Sequence, residues 1–436
     1  MAKTQVIDIA LLGLGKLGHG IYQLWDERRQ HILTQTGIDL NLKHIFVKHI
    51  NYRRGAFVPR EKITDDLQNI LNDQSVKIVI DAMGGIEPTY GIIKQFLQRK
   101  CHIVSANRAL LASKMREVFE LARQQKVHLQ FDAALGGGIP IIHTIRRDLV
   151  GSKILGIWGI SSGSSNYILS KMSISKRALK DVLKLPELKS MSESHMLLDY
   201  EGSDSAQKLV LLAATAFGIE VDYLQVYAEG ISHIKKLDIS IAEEFGYQIK
   251  LLAILKDGRE GIELRVHPTL VPEGHPLNSV RNDYSAVYIQ TDNVGEFMLY
   301  GKGAGIMPAA NMIIRDLVDV ASTIKSSSKY MFELPLWNQK MILPMDEVWS
   351  KYYLRFPCID RPGVMGKLAT TLGKNGINIE SAHASIKEIK RDLKLSFVHL
   401  FTEKAKEKEI LNAIAEIKKF KIIRGEIKMI RILGEI

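Results

Sequence analysis

Apolar positions in the first third of the chain fall in two alternating patterns. Residues 5–12 (QVIDIALL), 42–47 (LKHIFV), 76–81 (VKIVID), 102–106 and 127–133 are short runs rich in β-branched side chains, the length and character of buried strands. Residues 19–29, 88–99 and 108–124 lie between them and carry helical spacing. Strands and helices alternating at this pace predict βαβ units and a parallel sheet. The character changes at Gly136-Gly137-Gly138-Ile139-Pro140. Strands at 154–160, 263–267 and 285–290 and a longer helix at 204–217 then predict an α+β domain. A helix at 309–324 places Ile313, Leu317, Val320 and Ile324 on one face. Ser326–Asp346 holds Pro335 and Pro344 and reads as irregular. The remainder reads as strand 351–358, helix 363–374, strands 377–385 and 393–402, helix 404–418 and strand 421–434, a βαββαβ order of ferredoxin type.

The expected fold is therefore α/β in three parts. A Rossmann-type nucleotide-binding domain spans 1–134, with a return helix at about 309–325. An α+β domain spans 135–308. A linker at 326–349 leads to a ferredoxin-like unit at 350–436. A length of 436 residues suits several domains at roughly 100–200 residues each. The apolar runs are far too short to span a bilayer, and the start lacks a secretory apolar region. With Cys101 and Cys358 as the two cysteines, no disulfide framework is expected and a cytoplasmic enzyme is. A bridge between the two thiols stays open at this stage. The net charge of +11 raises a nucleic-acid reading, but the basic residues are scattered among acidic ones, without zinc-finger spacing or an aromatic RNA motif. A basic protein handling a polyanionic cofactor fits equally well.

That cofactor has a candidate site. Gly13-Leu14-Gly15-Lys16-Leu17-Gly18 is a GxGxxG between a strand and a helix. Glycines let the backbone turn tightly and approach a pyrophosphate, which the helix N-terminus then attracts. The motif alone is weak; its place in a βαβ unit strengthens it. After the second strand, where a carboxylate would hold the ribose 2′-hydroxyl of NAD, the chain has Lys48, His49, Arg53 and Arg54, with no carboxylate until Glu61. Basic groups suit the 2′-phosphate of NADP, although a solvated basic loop has the same pattern. The expected cofactor is NADP, with NAD the alternative.

Several segments in one order resemble the homoserine dehydrogenase family: the glycine loop, Ile80–Gly85, Val104–Leu111, Ala134–Ile142, Gly159–Ile168, Glu201–Lys208, Gly246–Ala253, His275-Pro276-Leu277 and Tyr300–Gly305. The resemblance implies NAD(P)-dependent interconversion of L-aspartate 4-semialdehyde and L-homoserine, in the pathway to threonine, methionine and isoleucine. It implies Lys208 as the catalytic proton donor, and Glu193, Asp199 and Asp204 as substrate-binding residues. Carboxylates suit the substrate's α-ammonium group. Spacing alone would make Asp204 and Lys208 an exposed i, i+4 ion pair. Gly84, Arg108 and Gly303 join Gly13, Gly15, Lys16, Leu17, Gly18, Lys48, Arg53 and Arg54 as expected cofactor contacts. Asp132, Leu135, Gly137 and Ile139 match a loop whose backbone carbonyls bind Na+, taken as structural. No His/Cys cluster has transition-metal spacing. Asn166 and Tyr167 read as part of a Gly/Ser-rich turn.

The chain also departs from the family pattern. Arg108 stands where the family usually has lysine, and arginine keeps its charge without donating a proton at neutral pH. The family's proline is absent from Glu193–Asp199, Ser164-Ser165 replaces two threonines, and Pro308-Ala309-Ala310-Asn311 replaces Pro-Thr-Ala-Ser. Asp360–Ala369 with Asn375–Ser381 resembles an ACT domain, which implies threonine as an amino-acid effector; Ala384 stands where a glutamine is frequent. A four-stranded ACT sheet leaves edges and one face uncovered, so paired sheets in a homodimer or homotetramer are expected. A chain cut after Met345 is expected to stay active. Two other readings stand beside this one. The first is a binding protein that has lost activity. The second is a semialdehyde dehydrogenase with a cysteine nucleophile, for which neither Cys101 nor Cys358 is well placed. Neither nucleic acid nor membrane is an expected partner.

Overall fold

The computed structural model describes residues 4–50, 58–188, 200–326, 337–390 and 393–434. Its strands are β1 (Gln5–Leu12), β2 (Ile38–Phe46), β3 (Ile63–Thr64), β4 (Val76–Asp81), β5 (His102–Ser105), β6 (Leu129–Gln130), β7 (Ile154–Ile160), β8 (Tyr227–Ala228), β9 (Tyr247–Asp257), β10 (Ile262–Pro272), β11 (Tyr284–Thr291), β12 (Glu296–Lys302), β13 (Trp349–Ile359), β14 (Ile379–Lys390), β15 (Leu393–Thr402), β16 (Ala405–Lys406) and β17 (Lys428–Ile432). Its helices are α1 (Lys16–Thr36), α2 (Leu67–Leu71), α3 (Thr89–Gln98), α4 (Arg108–Ser113), α5 (Met115–Gln125), α6 (Asp132–Gly136), α7 (Ile141–His143), α8 (Gly163–Ser175), α9 (Leu179–Val182), α10 (Ser203–Phe217), α11 (Lys236–Glu244), α12 (Ile306–Ser326), α13 (Val364–Lys374) and α14 (Glu407–Ile417). Two compact units result. The first comprises Met1–Ser164, Ser203–Val226 and Asp283–Lys340; the second comprises Ser165–Gly202, Tyr227–Asn282 and Met341–Ile436.

The first unit is built on the parallel sheet that the alternating pattern predicts, in the order β3-β2-β1-β4-β5-β6. The chain order reverses between β1 and β4, which opens a crevice at the C-terminal ends of the strands. α12 packs beside α1, with Ile313, Leu317 and Val320 in one core with Ile9, Leu11, Ile21 and Trp25. That is the predicted return helix, several residues longer at its start. Three predicted elements differ. The 108–124 helix is two helices, because Lys114 leaves the helical region at φ −129°. The 127–133 strand is only β6, after which α6 starts at Asp132. Asn166 and Tyr167 lie inside α8 rather than in a turn. An antiparallel sheet, β7-β11-β12, completes the unit.

In the second unit the ferredoxin-like order is present as β17-β13-β15-β14, with α13 and α14 on one face. The predicted strand at 421–434 shortens to β17. The sheet does not stop at β17. That strand pairs in parallel with β10, Thr269 against Arg431 and Leu270 against Ile432, and β10 pairs along its other edge with β9. The opposite face is also occupied. The Phe245 ring lies 4.9 Å from that of His383 and 5.0 Å from that of Phe401, and Arg355 of β13 binds Asp238 of α11 at 2.7 Å. Elements of the same chain thus cover one edge and one face of the ferredoxin-like sheet, while β14 forms its other edge. Part of the expected linker is also ordered, since Asn338 bridges to Ile219 and Ile342 to Ile262. Residues 327–336 lie outside the described residues.

Ionic groups seal this junction. Arg431 of β17 is 1% exposed. It binds Glu407 of α14 through two nitrogens and Glu229, which precedes α11, at 2.6 Å. Tyr352 donates to the same Glu407 carboxylate at 2.9 Å. Burial would raise the Glu229 carboxyl, but His233 and Arg431 outweigh it and hold it far below its ordinary value. Removing one member of such a group leaves the others charged and unpaired, so Arg431→Ala should destabilise the protein by about 3–5 kcal/mol. Denaturant unfolding measures this, and an unchanged midpoint would refute the role. Ending the chain at Met345 bares the edge of β10 and removes Arg431 from Glu229 and Arg355 from Asp238. The truncated protein should therefore aggregate or unfold at markedly lower denaturant, contrary to the sequence expectation of an intact core. Size-exclusion chromatography with the same titration checks it.

Candidate active site

The glycine loop sits where β1 ends, and its geometry explains its glycines. Gly13 adopts φ +99°, and a Cβ there would lie 2.8 Å from the Ala82 carbonyl oxygen. At Gly18 a Cβ would lie 2.1 Å from the Gly13 carbonyl oxygen. α1 can therefore start close against the loop. No side-chain hydrogen bond caps the start of α1 at Gly15, and among the described residues no atom lies within 4 Å of where a Cβ on Gly15 would sit. The backbone N–H groups of Lys16, Leu17 and Gly18 form the first turn of a 21-residue helix, an arrangement suited to a phosphate. These residues thus fit a dinucleotide. Lys48 is exposed just beyond β2. Arg53 and Arg54 lie outside the described residues.

The loops after β4 and β5 face the same crevice. Ala82 N–H donates to Leu12, bringing Gly84 and its neighbours alongside the glycine loop. Asn107 caps α4, its Oδ1 accepting from Leu110 N–H, and so fixes where Arg108 starts the helix. Arg108 Nε donates to the Ala134 carbonyl at 2.8 Å, and its guanidinium pairs with Asp204. Gly303 lies near the Gly137 backbone, where a Cβ on Gly137 would come within 2.4 Å of the Gly303 oxygen.

α10 brings Asp204 and Lys208 to one face, as their spacing requires, but their side chains are only 14% and 7% exposed. The expectation of an exposed pair is corrected. Lys208 Nζ is 2.9 Å from Asp204 Oδ2 and also donates to the Ser161 carbonyl. Ser161 Oγ donates to Ser205 Oγ at 2.8 Å, tying the strand end after β7 to α10. Asp204 is thus shared: Oδ1 faces Arg108 and Oδ2 faces Lys208. The Arg108 and Lys208 cations thus flank one carboxylate, which holds both at fixed positions. The Ser161 role was not legible in the sequence, because its contribution is a backbone carbonyl. Glu193 and Asp199 lie outside the described residues.

Asp132 is buried at the start of α6. Its carboxylate accepts from Ile142 N–H at 2.7 Å and His143 N–H at 3.2 Å, and pairs with Arg315 of α12. Arg315 is a site-adjacent residue that the sequence pattern did not single out. The Ile139 carbonyl accepts from Ile141 N–H at 2.9 Å. The loop of Leu135, Gly137 and Ile139 is therefore already braced by protein groups, and its carbonyls remain chemically suited to a monovalent ion. Among the described residues, no three His, Cys, Asp or Glu side chains converge on a possible metal site, and no helix is long and apolar enough to cross a membrane. Cys101 and Cys358 are buried and free. Cys101 precedes β5, at the strand end opposite the crevice, and burial raises its thiol above the ordinary value. Burial pushes Cys358 up to about 11. Neither suits nucleophilic catalysis.

Comparison with known proteins agrees with this geometry. Family models match in three consecutive stretches: the homoserine dehydrogenase NAD-binding domain over residues 13–132, homoserine dehydrogenase over 140–318 and the ACT domain over 352–419. Homoserine dehydrogenase from Neisseria gonorrhoeae is 35% identical over 430 residues, covering 98% of each chain. That from Synechocystis is 34% identical over 98% of this chain and all of the relative. The crystal structure of a homoserine dehydrogenase from Thiobacillus denitrificans superimposes with a TM-score of 0.91 at 33% identity, covering 99% of each chain. On full-length similarity and on three matching domains in register, the chain belongs to the homoserine dehydrogenase family, oxidoreductases that use a nicotinamide cofactor.

Proposed function

We propose that the chain interconverts L-aspartate 4-semialdehyde and L-homoserine with NADP as the preferred cofactor and Lys208 as the proton-transfer residue. The buried Lys208 ammonium, aimed by Asp204 and the Ser161 carbonyl, carries the reading. The cofactor, when bound, supplies or accepts the hydride. In reduction, Lys208 stabilises the charge forming on the aldehyde oxygen and gives it a proton; in oxidation, the neutral amine takes the proton back. Arg108 adds fixed positive charge. Asp204, with Glu193 and Asp199, receives the substrate ammonium. Gly13, Gly15, Lys16, Leu17 and Gly18 hold the pyrophosphate, and Gly84, Arg108 and Gly303 line the same cofactor's path. A sodium ion on the carbonyls of Asp132, Leu135, Gly137 and Ile139 would be structural. Supporting a homodimer or homotetramer is the outer strand β12, where Tyr300 is 52% exposed and Phe297, Met298 and Leu299 are half-buried. Light scattering measures that state.

Lys208→Ala should lower kcat by roughly 10²–10⁴ with an unchanged circular dichroism spectrum. Near-normal turnover in that variant would reject the role. Lys48, together with Arg53 and Arg54, should give NADP the higher kcat/KM. Assays of homoserine oxidation with each cofactor decide this, and a clear NAD preference would overturn it.

The ACT module is proposed to bind threonine and lower activity. Threonine titration at fixed homoserine and NADP should show inhibition in the full-length chain. Absence of inhibition up to millimolar threonine would leave the module structural.

A further inference from the structure

One buried carboxyl at the crevice has no part in the chemistry above. Asp81 ends β4 and is 0% exposed. Its Oδ1 accepts from Met83 N–H at 3.1 Å and its Oδ2 from Ser105 Oγ at 2.9 Å. Ser105 Oγ accepts in turn from Asn107 N–H at 3.0 Å. Asn107 Nδ2 donates to the Gly85 carbonyl at 2.8 Å, while its Oδ1 caps α4. The result is a closed set of bonds. It locks the loop after β4 to the loop after β5, and both to the start of the helix that carries Arg108.

The position of this set is informative. Ala82 touches the glycine loop, since Gly13 has no room for a Cβ against it. Arg108 reaches from α4 to Asp204, the partner of Lys208. Asp81 therefore joins the floor of the cofactor crevice to the cation pair of the active site. Its partners are neutral, a hydroxyl and a backbone N–H. Burial raises its carboxyl to about 7 even though both bonds pull it down. Burying a carboxyl in such surroundings is costly, and a neutral side chain would tie two loops together more cheaply. Above about pH 7 the carboxyl is charged, and the charged acceptor makes the stronger and more directional bond.

We propose that Asp81 is a positioning residue, which holds the loops after β4 and β5 at the spacing that aligns bound nicotinamide cofactor with the Arg108–Asp204–Lys208 group. This inference rests on the cofactor-binding reading of the crevice. Misplacement of reacting groups by about an ångström is sufficient to lower turnover substantially.

The test uses the full-length protein with Asp81→Asn, Ser105→Ala and the double variant. NADPH binding without substrate is followed by fluorescence, alongside kcat, KM for homoserine and Tm. Asp81→Asn should raise the NADPH dissociation constant severalfold and lower kcat roughly tenfold, with KM for homoserine changed less than about twofold. Ser105→Ala should produce the same split, and the double variant should be little worse than either single one, because both weaken the same link. A lowered Tm with unchanged dissociation constant and kcat in the folded protein would overturn the proposal in favour of a purely structural tie. Strictly additive effects would overturn it too. If the unaltered protein binds neither NADPH nor NADH, the cofactor reading itself fails, and this inference falls with it.

Discussion

The active site depends on how one carboxylate divides its two oxygens. Asp204 faces Arg108 on one side and Lys208 on the other. Arg108 starts a helix of the nucleotide-binding sheet; Asp204 and Lys208 belong to α10. The shared ion therefore fixes α10 against the layer that borders the candidate cofactor crevice. Burial is what gives it force, since an exposed i, i+4 pair contributes only a few tenths of a kcal/mol. Here the ions are largely screened from water, and each would be costly to leave alone. The Ser161 carbonyl and the Ser161–Ser205 bond restrain the remaining freedom of the lysine and its helix.

A second constraint governs the C-terminal module. Its four-stranded sheet continues into β10 and β9, so it is joined by backbone hydrogen bonds as well as by side chains. β10 shows what this demands. Its alternate residues Glu263, Arg265, His267 and Thr269 are polar, a pattern that ordinarily means a solvated face. All four are buried and bonded in sequence: Arg265 to Glu263 at 2.8 Å, Arg265 to His267 at 3.1 Å, and Thr269 to His267 at 3.0 Å. Burial first, then the charges of Arg431 and Arg265, drive the His267 imidazolium to its neutral form. A module attached in this way is part of the substrate domain's sheet. Any change in its strand packing is felt directly by β10.

The βαβ region was legible because its code is local: strand-length apolar runs, and glycines where the backbone approaches itself. The ferredoxin-like unit was legible for the same reason. Boundaries failed where tertiary contacts decide them. Lys114 breaks a continuous helical pattern, and β6 stops early because Asp132 turns its carboxylate to the N–H groups of Ile142 and His143. In the site, Lys208 and Asp204 came from family resemblance alone; spacing by itself read them as an exposed pair, and they are buried. Ser161 acts through its backbone, and Asp81 and Ser105 through partners more than twenty residues apart. No window of sequence holds those pairings. The pairing of β17 with β10 was likewise invisible, since it joins residues far apart in the chain.

Arg108 narrows the chemistry that this arrangement can perform. A lysine at this position could exchange a proton with its neighbours; the guanidinium stays charged throughout the working pH range. It also presents a planar fork, one arm on the Ala134 carbonyl and another on Asp204. Asp204 is thereby kept beside a permanent cation whether Lys208 is protonated or neutral. If Lys208 gives up its proton, as the proposed role requires, Arg108 still pairs with the carboxylate. In the reaction proposed above, proton transfer would then be confined to Lys208, while Arg108 supplies fixed charge. The division follows from the chemistry of the two cations and from the single carboxylate between them.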